Sequence, residues 1–148
     1  MKLYVAMKGL VVDGEGRVLI VREANTYDVT TNLGKYTLPG GRIELGEHHL
    51  DGLRREMKEE VGLNVEPLFP IHTGEWRPTL KGEPTQIIAV FYVCRAAGLD
   101  VILSDEHDHY LWVDKDTAKH LGDQLVDEKV LDRYFSYGST LANLKDEL

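Results

Sequence analysis

Residues 41–63 read GRIELGEHHLDGLRREMKEEVGL, and this stretch decides how the chain folds. Apolar residues recur in it every three or four positions, which predicts a helix running roughly from Glu47 to Val61. Glu56, Glu59 and Glu60 are then neighbours on an adjoining face, because side chains three and four residues apart meet on a helix surface. The stretch therefore predicts an amphipathic helix whose polar side carries three clustered carboxylates.

The three clustered glutamates predict a divalent-metal site. Like charges at this spacing repel one another, and a cation between them removes the repulsion. Mg²⁺, or Mn²⁺ in its place, prefers oxygen ligands, so Glu56, Glu59 and Glu60 are the candidate metal ligands. The competing interpretation is a solvated acidic helix face, which is common for paired glutamates. The glycines and the arginine at fixed spacing around the glutamates argue against it, because solvation requires neither.

The residues around the glutamates also follow a known motif. From Gly41 the order is glycine, five residues, glutamate, seven residues, arginine and glutamate, an aliphatic residue, any residue, two glutamates, any residue, glycine and an aliphatic residue. In this pattern residues 38–63 resemble the Nudix hydrolases, while the rest of the chain resembles them only diffusely. The resemblance implies an α/β protein, an α/β/α sandwich around a mixed β-sheet with the motif as catalytic loop and helix. It also implies an enzyme that hydrolyses phosphoanhydride bonds with Mg²⁺.

The resemblance assigns metal binding and catalysis to particular residues. The metal ligands would be the backbone carbonyl of Gly40 and the carboxylates of Glu56, Glu59 and Glu60. Catalysis would involve Glu56, Glu59 and one further glutamate from a distant loop, for which Glu106 in a late acidic segment is the candidate. The sequence leaves open which glutamate activates the attacking water, with Glu106 and Glu56 as the two choices.

Four further motif residues have supporting roles. Arg55 can hold a carboxylate with two hydrogen bonds, and in the family the matching arginine pairs with the glutamate at the position of Glu47. Gly41 permits a tight turn into the helix, and Gly62 is placed to cap the helix end. These residues are predicted to position the metal ligands rather than to react.

Alternating and β-branched segments flank the motif helix and predict a sheet. The expected strands are residues 3–12, 17–22, 36–39, 63–77, 85–95 and 110–113, and a second helix is expected at 127–137. The expected loops are a hairpin loop at 78–84, a polar loop at 104–109 and a longer polar loop at 23–35 that could cover a ligand. Strands on both sides of the helix predict a layered α/β arrangement. No linker interrupts the 148 residues, so a single domain over residues 1–148 is expected.

Composition limits the partners and the compartment. The formal net charge is −8 and no basic cluster is present, which argues against duplex nucleic acid as a partner. No apolar run approaches the roughly 20 residues that a membrane-spanning helix requires, so no membrane association is expected. The single cysteine, Cys94, suits a reducing compartment, and a cytoplasmic protein is expected. The family resemblance also allows a homodimer.

The small nucleotide substrate is left open between two classes. Members of the family cleave nucleoside diphosphates linked to another group. Pro78 lies fifteen residues after Leu63, which resembles ADP-ribose pyrophosphatases, whereas the compact length and the Leu-Pro-Gly-Gly segment from Leu38 resemble MutT-like nucleoside triphosphate pyrophosphohydrolases. Trp76 and Arg77, beside Pro78, are the candidate substrate-binding residues. A nucleotide-binding regulatory module of the same fold, without turnover, is the alternative from a different functional class.

Overall fold

A computed structural model describes residues 1–24 and 32–137, so most of the ligand-covering loop expected at 23–35 lies outside the described residues. In chain order the elements are β1 (Lys2–Val12), β2 (Val18–Glu23), β3 (Tyr36–Thr37), β4 (Gly40–Arg42), α1 (His49–Val61), β5 (Val65–Trp76), β6 (Thr79–Leu80), β7 (Glu83–Ala96), β8 (His107–Val113), α2 (Lys115–Leu121), a 3₁₀ turn (Gly122–Gln124) and α3 (Glu128–Ser136). Within these described elements, no helix has the length and apolar character needed to cross a membrane.

β1 lies at the centre of the sheet. The strand order is β3-β2-β1-β7-β5, with β4 paired to β1, β6 to β7 and β8 to β2. β1 runs parallel to β7 along its whole length, from Lys2 opposite Thr85 to Val12 opposite Arg95. The other strand pairs are antiparallel. The sheet is therefore mixed.

Two apolar clusters cover opposite faces of the sheet, because successive side chains of a strand point to opposite sides. The cluster that joins α1 to the sheet includes Met7, Val11, Leu53, Met57 and Val61. The cluster that joins α3 to the sheet includes Leu10, Val18, Ile20, Val130 and Leu131. The arrangement is an α/β/α sandwich, and it confirms the predicted fold class.

Two elements, β8 and α1, begin at residues other than those expected from the sequence. β8 begins at His107, so the prediction of a loop at 104–109 is wrong for its last three residues. Pairing of His107 with Glu23 of β2 lengthens the strand, and this contact is not visible in the local sequence. α1 begins at His49 rather than Glu47, because the side chain of His48 caps the helix by accepting a hydrogen bond from the Leu50 N–H group at 3.2 Å.

Residues 78–84, expected to be a loop, contain β6 and a two-residue turn. Thr79 and Leu80 pair with the start of β7, and Lys81 and Gly82 connect the two strands. Both connecting residues have positive φ, 51° and 77°, as a tight hairpin turn requires. The same residues contribute to the cleft described below. β4 and α2 are also absent from the sequence prediction, and β4 begins with two glycines, which are rare in strands.

Candidate active site

Gly40 and Gly41 let β4 lie close to β1 on one side and to α1 on the other. Gly40 pairs with Lys8 of β1 and has φ 140°, and a Cβ atom there would lie 2.1 Å from the carbonyl oxygen of Met7. A Cβ atom on Gly41 would lie 2.6 Å from a carboxylate oxygen of Glu56. A side chain on Gly40 would collide with the β1 backbone, and one on Gly41 would push the Glu56 carboxylate away from β4. Gly40 therefore allows the close pairing of β4 with β1, and Gly41 leaves the space that Glu56 occupies.

Glu60 is buried against the backbone of this turn. Its side chain accepts a hydrogen bond from the Gly40 N–H group at 2.7 Å, and the residue is only 8% exposed. Burial raises the pKa of Glu60 to about 7, although nearby Lys8 and the Gly40 N–H group act in the opposite direction. A carboxylate in this state gains from a cation placed beside it, because the cation offsets the lost hydration.

Arg55 connects two other glutamates of the motif. Its Nε and Nη2 atoms donate to the two carboxylate oxygens of Glu47 at 2.8 and 3.0 Å, and its Nη1 donates to Glu56 at 3.0 Å. Nη2 also donates to the carbonyl oxygen of Arg42 at 3.2 Å, which ties α1 to β4. The hydrogen bonds from Arg55 lower the pKa of Glu47 to about 2. Arg55 thus fixes the orientation of Glu56 through a two-point contact with Glu47.

Glu56 and Glu106 lie near each other in the cleft. The side chain of Glu56 is 14% exposed. Burial raises its pKa against the effect of Arg55, and repulsion from Glu59 and Glu106 adds to the rise. Glu106 is held in place through its backbone, since its carbonyl oxygen accepts a hydrogen bond from the Ala24 N–H group at 2.9 Å. The fold therefore brings a residue of the late acidic segment to the glutamates of α1.

Glu59 stands apart from Glu56 and Glu60. Its side chain is 59% exposed, lies 3.3 Å from Arg55 and does not line the cleft. Across residues 1–24 and 32–137, no group of three or more His, Cys, Asp or Glu side chains is arranged to hold a metal ion. The structure brings two of the three predicted helix carboxylates into the cleft and leaves the third in solvent.

Gly62 ends α1 in the left-handed conformation, with φ 71°. Its N–H group donates to the carbonyl oxygen of Lys58 at 3.1 Å, and a Cβ atom there would lie 3.0 Å from the side chain of Ile102. This geometry is that of a glycine C-cap.

The cleft has a volume of about 1110 Å³, enough for a nucleotide. Its acidic lining is Glu23, Glu44, Glu56, Glu60 and Glu106, and its basic lining is Lys8, Arg42, Arg55 and Lys81. Ala6, Trp76, Pro78, Leu80 and Ile87 supply its apolar surface. The cleft therefore combines carboxylates, cations and an apolar wall.

Of the two predicted substrate-binding residues, only Trp76 lines the cleft. Trp76 lines the cleft and is 40% exposed. Arg77 does not line it, and its side chain is 63% exposed and lies 2.9 Å from Glu75. β5 ends at Trp76, so Arg77 lies just beyond the strand, and its pairing with Glu75 keeps its side chain outside the cleft lining.

The donor chemistry of the cleft fits a divalent cation that binds oxygen. Glu56 and Glu60 lie beside the Gly40–Gly41 backbone with raised pKa values, and Glu106 is within electrostatic reach of Glu56. None of the described residues that line the cleft is a cysteine or a histidine. Hard oxygen donors without sulfur or imidazole favour Mg²⁺ or Mn²⁺ over zinc.

Lys8, Arg42 and Leu80 line the cleft and are not among the residues predicted from the sequence. Two of them have a signal in the sequence. Lys8 interrupts an otherwise apolar stretch of β1, and Arg42 directly follows the paired glycines. Leu80 has none, because its position depends on how the β6–β7 hairpin folds over the sheet.

A model of the NUDIX domain matches residues 2–134. A MutT-like protein of Streptomyces ambofaciens is 30% identical over 128 residues, which cover 86% of this chain and 75% of that protein. The nucleoside triphosphatase NudI of Klebsiella pneumoniae (strain 342) is 29% identical over 119 residues, covering 74% of this chain and 81% of that protein.

Solved structures share the fold. A MutT protein from Methanosarcina mazei Go1 superposes with a TM-score of 0.78 at 26% identity, covering 93% of this chain and 96% of that chain. An ADP-ribose pyrophosphatase from Streptococcus suis 89-1591 superposes with a TM-score of 0.65 at 17% identity, covering 91% of each chain. The second likeness, at its low identity, concerns the fold alone.

Proposed function

Because the chain belongs to the NUDIX domain family of hydrolases, we propose that it cleaves a phosphoanhydride bond in a nucleoside diphosphate linked to another group, using Mg²⁺ and water. It is an enzyme, a pyrophosphohydrolase that acts on acid anhydrides. One observation supports the proposal that Mg²⁺ takes part. Glu56 and Glu60 meet the Gly40–Gly41 backbone in the wall of a nucleotide-sized cleft.

The cation would be held by Glu56, Glu60 and the carbonyl oxygen of Gly40, with a further carboxylate from Glu59 or Glu106. When bound, Mg²⁺, or Mn²⁺ in its place, neutralises charge on the phosphoryl oxygens and makes a coordinated water more acidic. Glu59 would have to turn away from Arg55 to take part.

The residues of the chain supply orientation and proton transfer. Arg55 holds the Glu56 carboxylate in one orientation through its paired contact with Glu47. Glu106 is the proposed general base that takes a proton from the attacking water, and Glu56 is the second candidate. Glu106 approaches from the turn that precedes β8 rather than from the helix, so it would face the water while the helix carboxylates face the cation.

A nucleoside triphosphate is the proposed substrate, cleaved to a nucleoside monophosphate and pyrophosphate. Relatives named as nucleoside triphosphatase NudI, at 29% identity, support this class. The apolar wall that includes Trp76, Leu80 and Ile87 offers a surface for the base, because aromatic rings bind flat aromatic groups by stacking. Arg77 is proposed as an outer contact, which requires it to leave Glu75.

An ADP-ribose-type nucleotide sugar is the second candidate. Pro78, at the distance from the motif that resembles the ADP-ribose pyrophosphatases, lies in the lining of the cleft rather than on a remote surface. In this case the products would be AMP and ribose 5-phosphate.

A substrate panel with Mg²⁺ and with Mn²⁺ tests the proposal. It should contain canonical and oxidised nucleoside triphosphates, ADP-ribose and dinucleoside polyphosphates, with products identified by chromatography. We expect Glu56→Gln and Glu60→Gln each to lower kcat/KM by about 100-fold or more, because a metal ligand supplies several kcal/mol of transition-state stabilisation. Glu66→Gln is the matched control, since its exposed side chain on β5 pairs with Arg95 away from the cleft.

The identity of the products decides between a nucleoside triphosphate and a nucleotide sugar as the substrate. Two results would contradict the proposed hydrolysis. The first is unchanged turnover in both cleft variants. The second is a lack of metal-dependent cleavage with every panel member, which would favour the nucleotide-binding regulatory module without turnover.

We also propose that the enzyme is cytoplasmic and that it forms a homodimer. The free, buried cysteine at position 94 is consistent with a cytoplasmic enzyme, since it forms no disulfide in the described chain. A homodimer is testable by sedimentation velocity.

A further inference from the structure

Lys8 places a positive charge inside the apolar central strand of the sheet. Met7 and Leu10 of the same strand are fully buried, whereas Lys8 is half-buried and lines the cleft. Within residues 1–24 and 32–137, its ammonium group forms no salt bridge with a carboxylate. Lysine is rarely withdrawn from water without a paired carboxylate, so this position calls for a physical explanation.

The stem of Lys8 runs past Gly40 toward the carboxylates of α1. Lys8 and Gly40 are direct partners in the β1–β4 ladder. A Cβ atom on Gly40 would lie 3.0 Å from Cδ of Lys8, so the aliphatic part of the lysine lies over the glycine. The Gly40 N–H group donates to the carboxylate of Glu60 at 2.7 Å. Lys8 and Glu60 therefore meet at the same glycine, at the end of the cleft where the cation is proposed to bind.

The charge of Lys8 acts on two buried residues at this end of the cleft. Burial raises the pKa of Glu60 to about 7, and among the opposing effects the positive charge of Lys8 is the largest. Burial and Lys8 both act to lower the pKa of His107, and Glu23 and Glu60 outweigh them. Charges interact more strongly in such surroundings than in water. A cation beside Glu60 would therefore experience the ammonium group as a like charge.

A free cation and a metal–nucleotide complex differ in how they respond to this charge. Glu56 and Glu60 attract a free divalent cation, while Lys8 repels it. Inside a protein, a like charge some ångströms away changes a binding constant by about tenfold or more. The complex of Mg²⁺ with a nucleoside triphosphate is negatively charged overall, so the same ammonium group attracts it.

We propose that Lys8, directed over Gly40 toward Glu60, opposes binding of the free divalent cation, so that the metal enters the cleft chiefly as its complex with the nucleotide. This inference rests on the proposed function in that a cation binds beside Glu60. Lys8 acts through the charge that it adds to the site, and it is neither a metal ligand nor a catalytic residue.

Electron paramagnetic resonance of free Mn²⁺ measures cation binding without nucleotide and without turnover. We expect Lys8→Met to bind Mn²⁺ about tenfold more tightly than the wild type, because methionine keeps an unbranched stem and removes the like charge. Lys8→Arg keeps the charge and should stay within about threefold of the wild type. Lys119→Met is the matched control. Lys119 is exposed on α2 outside the cleft lining, so its loss should change Mn²⁺ affinity by less than about twofold.

A second probe of opposite charge tests the sign of the effect. Calorimetry with the Mg²⁺ complex of α,β-methylene-ATP, whose bridging bond resists hydrolysis, measures binding of a negatively charged ligand. Lys8→Met should gain no affinity for this complex and should bind it more weakly by up to about tenfold. A gain for the free cation without a gain for the anionic complex is the signature of a charge effect, whereas damage to the fold weakens binding of both.

Two results would overturn the inference: an Mn²⁺ affinity of Lys8→Met that is unchanged or lower, or a gain in affinity for both probes. Glu60→Gln separates this failure from a failure of the proposed metal site. If Glu60→Gln loses Mn²⁺ binding while Lys8→Met equals the wild type, the metal site stands and only the role of Lys8 falls. A wild-type protein that turns over no panel substrate, while Lys8→Met gains Mn²⁺ affinity, would remove the hydrolytic proposal and leave the opposing charge in place.

Discussion

At the scale of single residues, one guanidinium joins α1 to β4 and orients two glutamates of the motif. Arg55 reaches Glu47, Glu56 and the backbone of β4 at the same time. A change at Glu47 therefore acts on Glu56 without touching it, because Arg55 loses the partner that fixes its plane. Glu47 contributes to the site through this contact rather than through a place in the cleft lining.

The Arg55–Glu47 pair predicts how stability changes in acid. Because the pKa of Glu47 is lowered to about 2, its ionised form favours the folded state above the unfolded pKa of about 4.3. This contribution is lost as pH falls from about 5 toward 2. Glu47→Gln should therefore be less stable than wild type at pH 7 and lose less stability over that window. Urea unfolding at several pH values measures this, and parallel curves for the two proteins would contradict it.

The residues of the motif are predictable from sequence, but their rotation about the helix axis relative to the sheet is not. Helical spacing correctly makes Glu56, Glu59 and Glu60 neighbours. The closeness of Gly40 and Gly41 to α1 then decides which glutamates turn inward, and Glu59 is left 59% exposed. This selection depends on contacts between β4 and α1, which no local pattern contains.

At the scale of elements, α1 contains a glycine at a position where alanine is ordinarily favoured. Gly52 is buried in the first half of the helix. A Cβ atom there would lie 2.6 Å from Cγ2 of Ile43 and 2.8 Å from Oε1 of Glu47. Ile43 is β-branched and Glu47 is held by Arg55, so neither side chain moves freely. The glycine reflects close packing of the β4–α1 loop against its own helix.

Gly52→Ala should destabilise the protein although it raises helix propensity. The propensity gain is about 1 kcal/mol and overpacking costs about 1–3 kcal/mol, so a net loss of about 1 kcal/mol is expected in the free energy of unfolding. Activity should also fall, because displacement of Glu47 disturbs Arg55. Urea unfolding and steady-state kinetics measure the two effects. Lys58→Ala, on the exposed side of the same helix, is the control; a stabilised Gly52→Ala variant with full activity would refute the packing argument.

Long periodic elements are the ones that sequence predicts. The pattern locates β1, β2, β5, β7, α1 and α3, each with at least six residues of consistent periodicity. It misses β4, β6 and α2, of which the first two have three and two residues. These short strands exist because a longer neighbour, β1 or β7, offers a free hydrogen-bonding edge, and this is a property of the assembled sheet. They are also the elements that carry Arg42 and Leu80 into the cleft.

At the scale of the whole molecule, the buried carboxylate of Glu60 lowers the stability of the fold while the proposed cation is absent. Because burial raises the pKa of Glu60 to about 7, its ionised form destabilises the metal-free fold above that pH. At pH 8, Glu60→Gln should therefore raise the melting temperature in EDTA. It should also reduce the rise produced by Mg²⁺, which in wild type should reach several degrees at saturating metal. Thermal scans with and without Mg²⁺ measure both effects.

A variant that is more stable in EDTA but responds less to Mg²⁺ distinguishes a metal ligand from a carboxylate with a purely structural role. Glu66→Gln, away from the cleft, should leave both melting temperatures unchanged within about a degree. A Glu60→Gln variant with the full wild-type response to Mg²⁺ would remove Glu60 from the proposed ligand set. The interpretation of residues 1–148 as one domain stays a prediction, and a single cooperative transition in these scans would support it.

The parallel pairing of β1 with β7 also sets an order of events during synthesis. Lys2 lies opposite Thr85 and Val12 opposite Arg95, so more than eighty residues separate each pair. At about 5–20 residues per second, the ribosome needs roughly 4–17 seconds to deliver the partner of a strand that it made first. During that interval the backbone N–H and C=O groups along one edge of β1 are without their long partner strand. A nascent chain that stalls before residue 83 presents this unpaired edge to chaperones and to other chains.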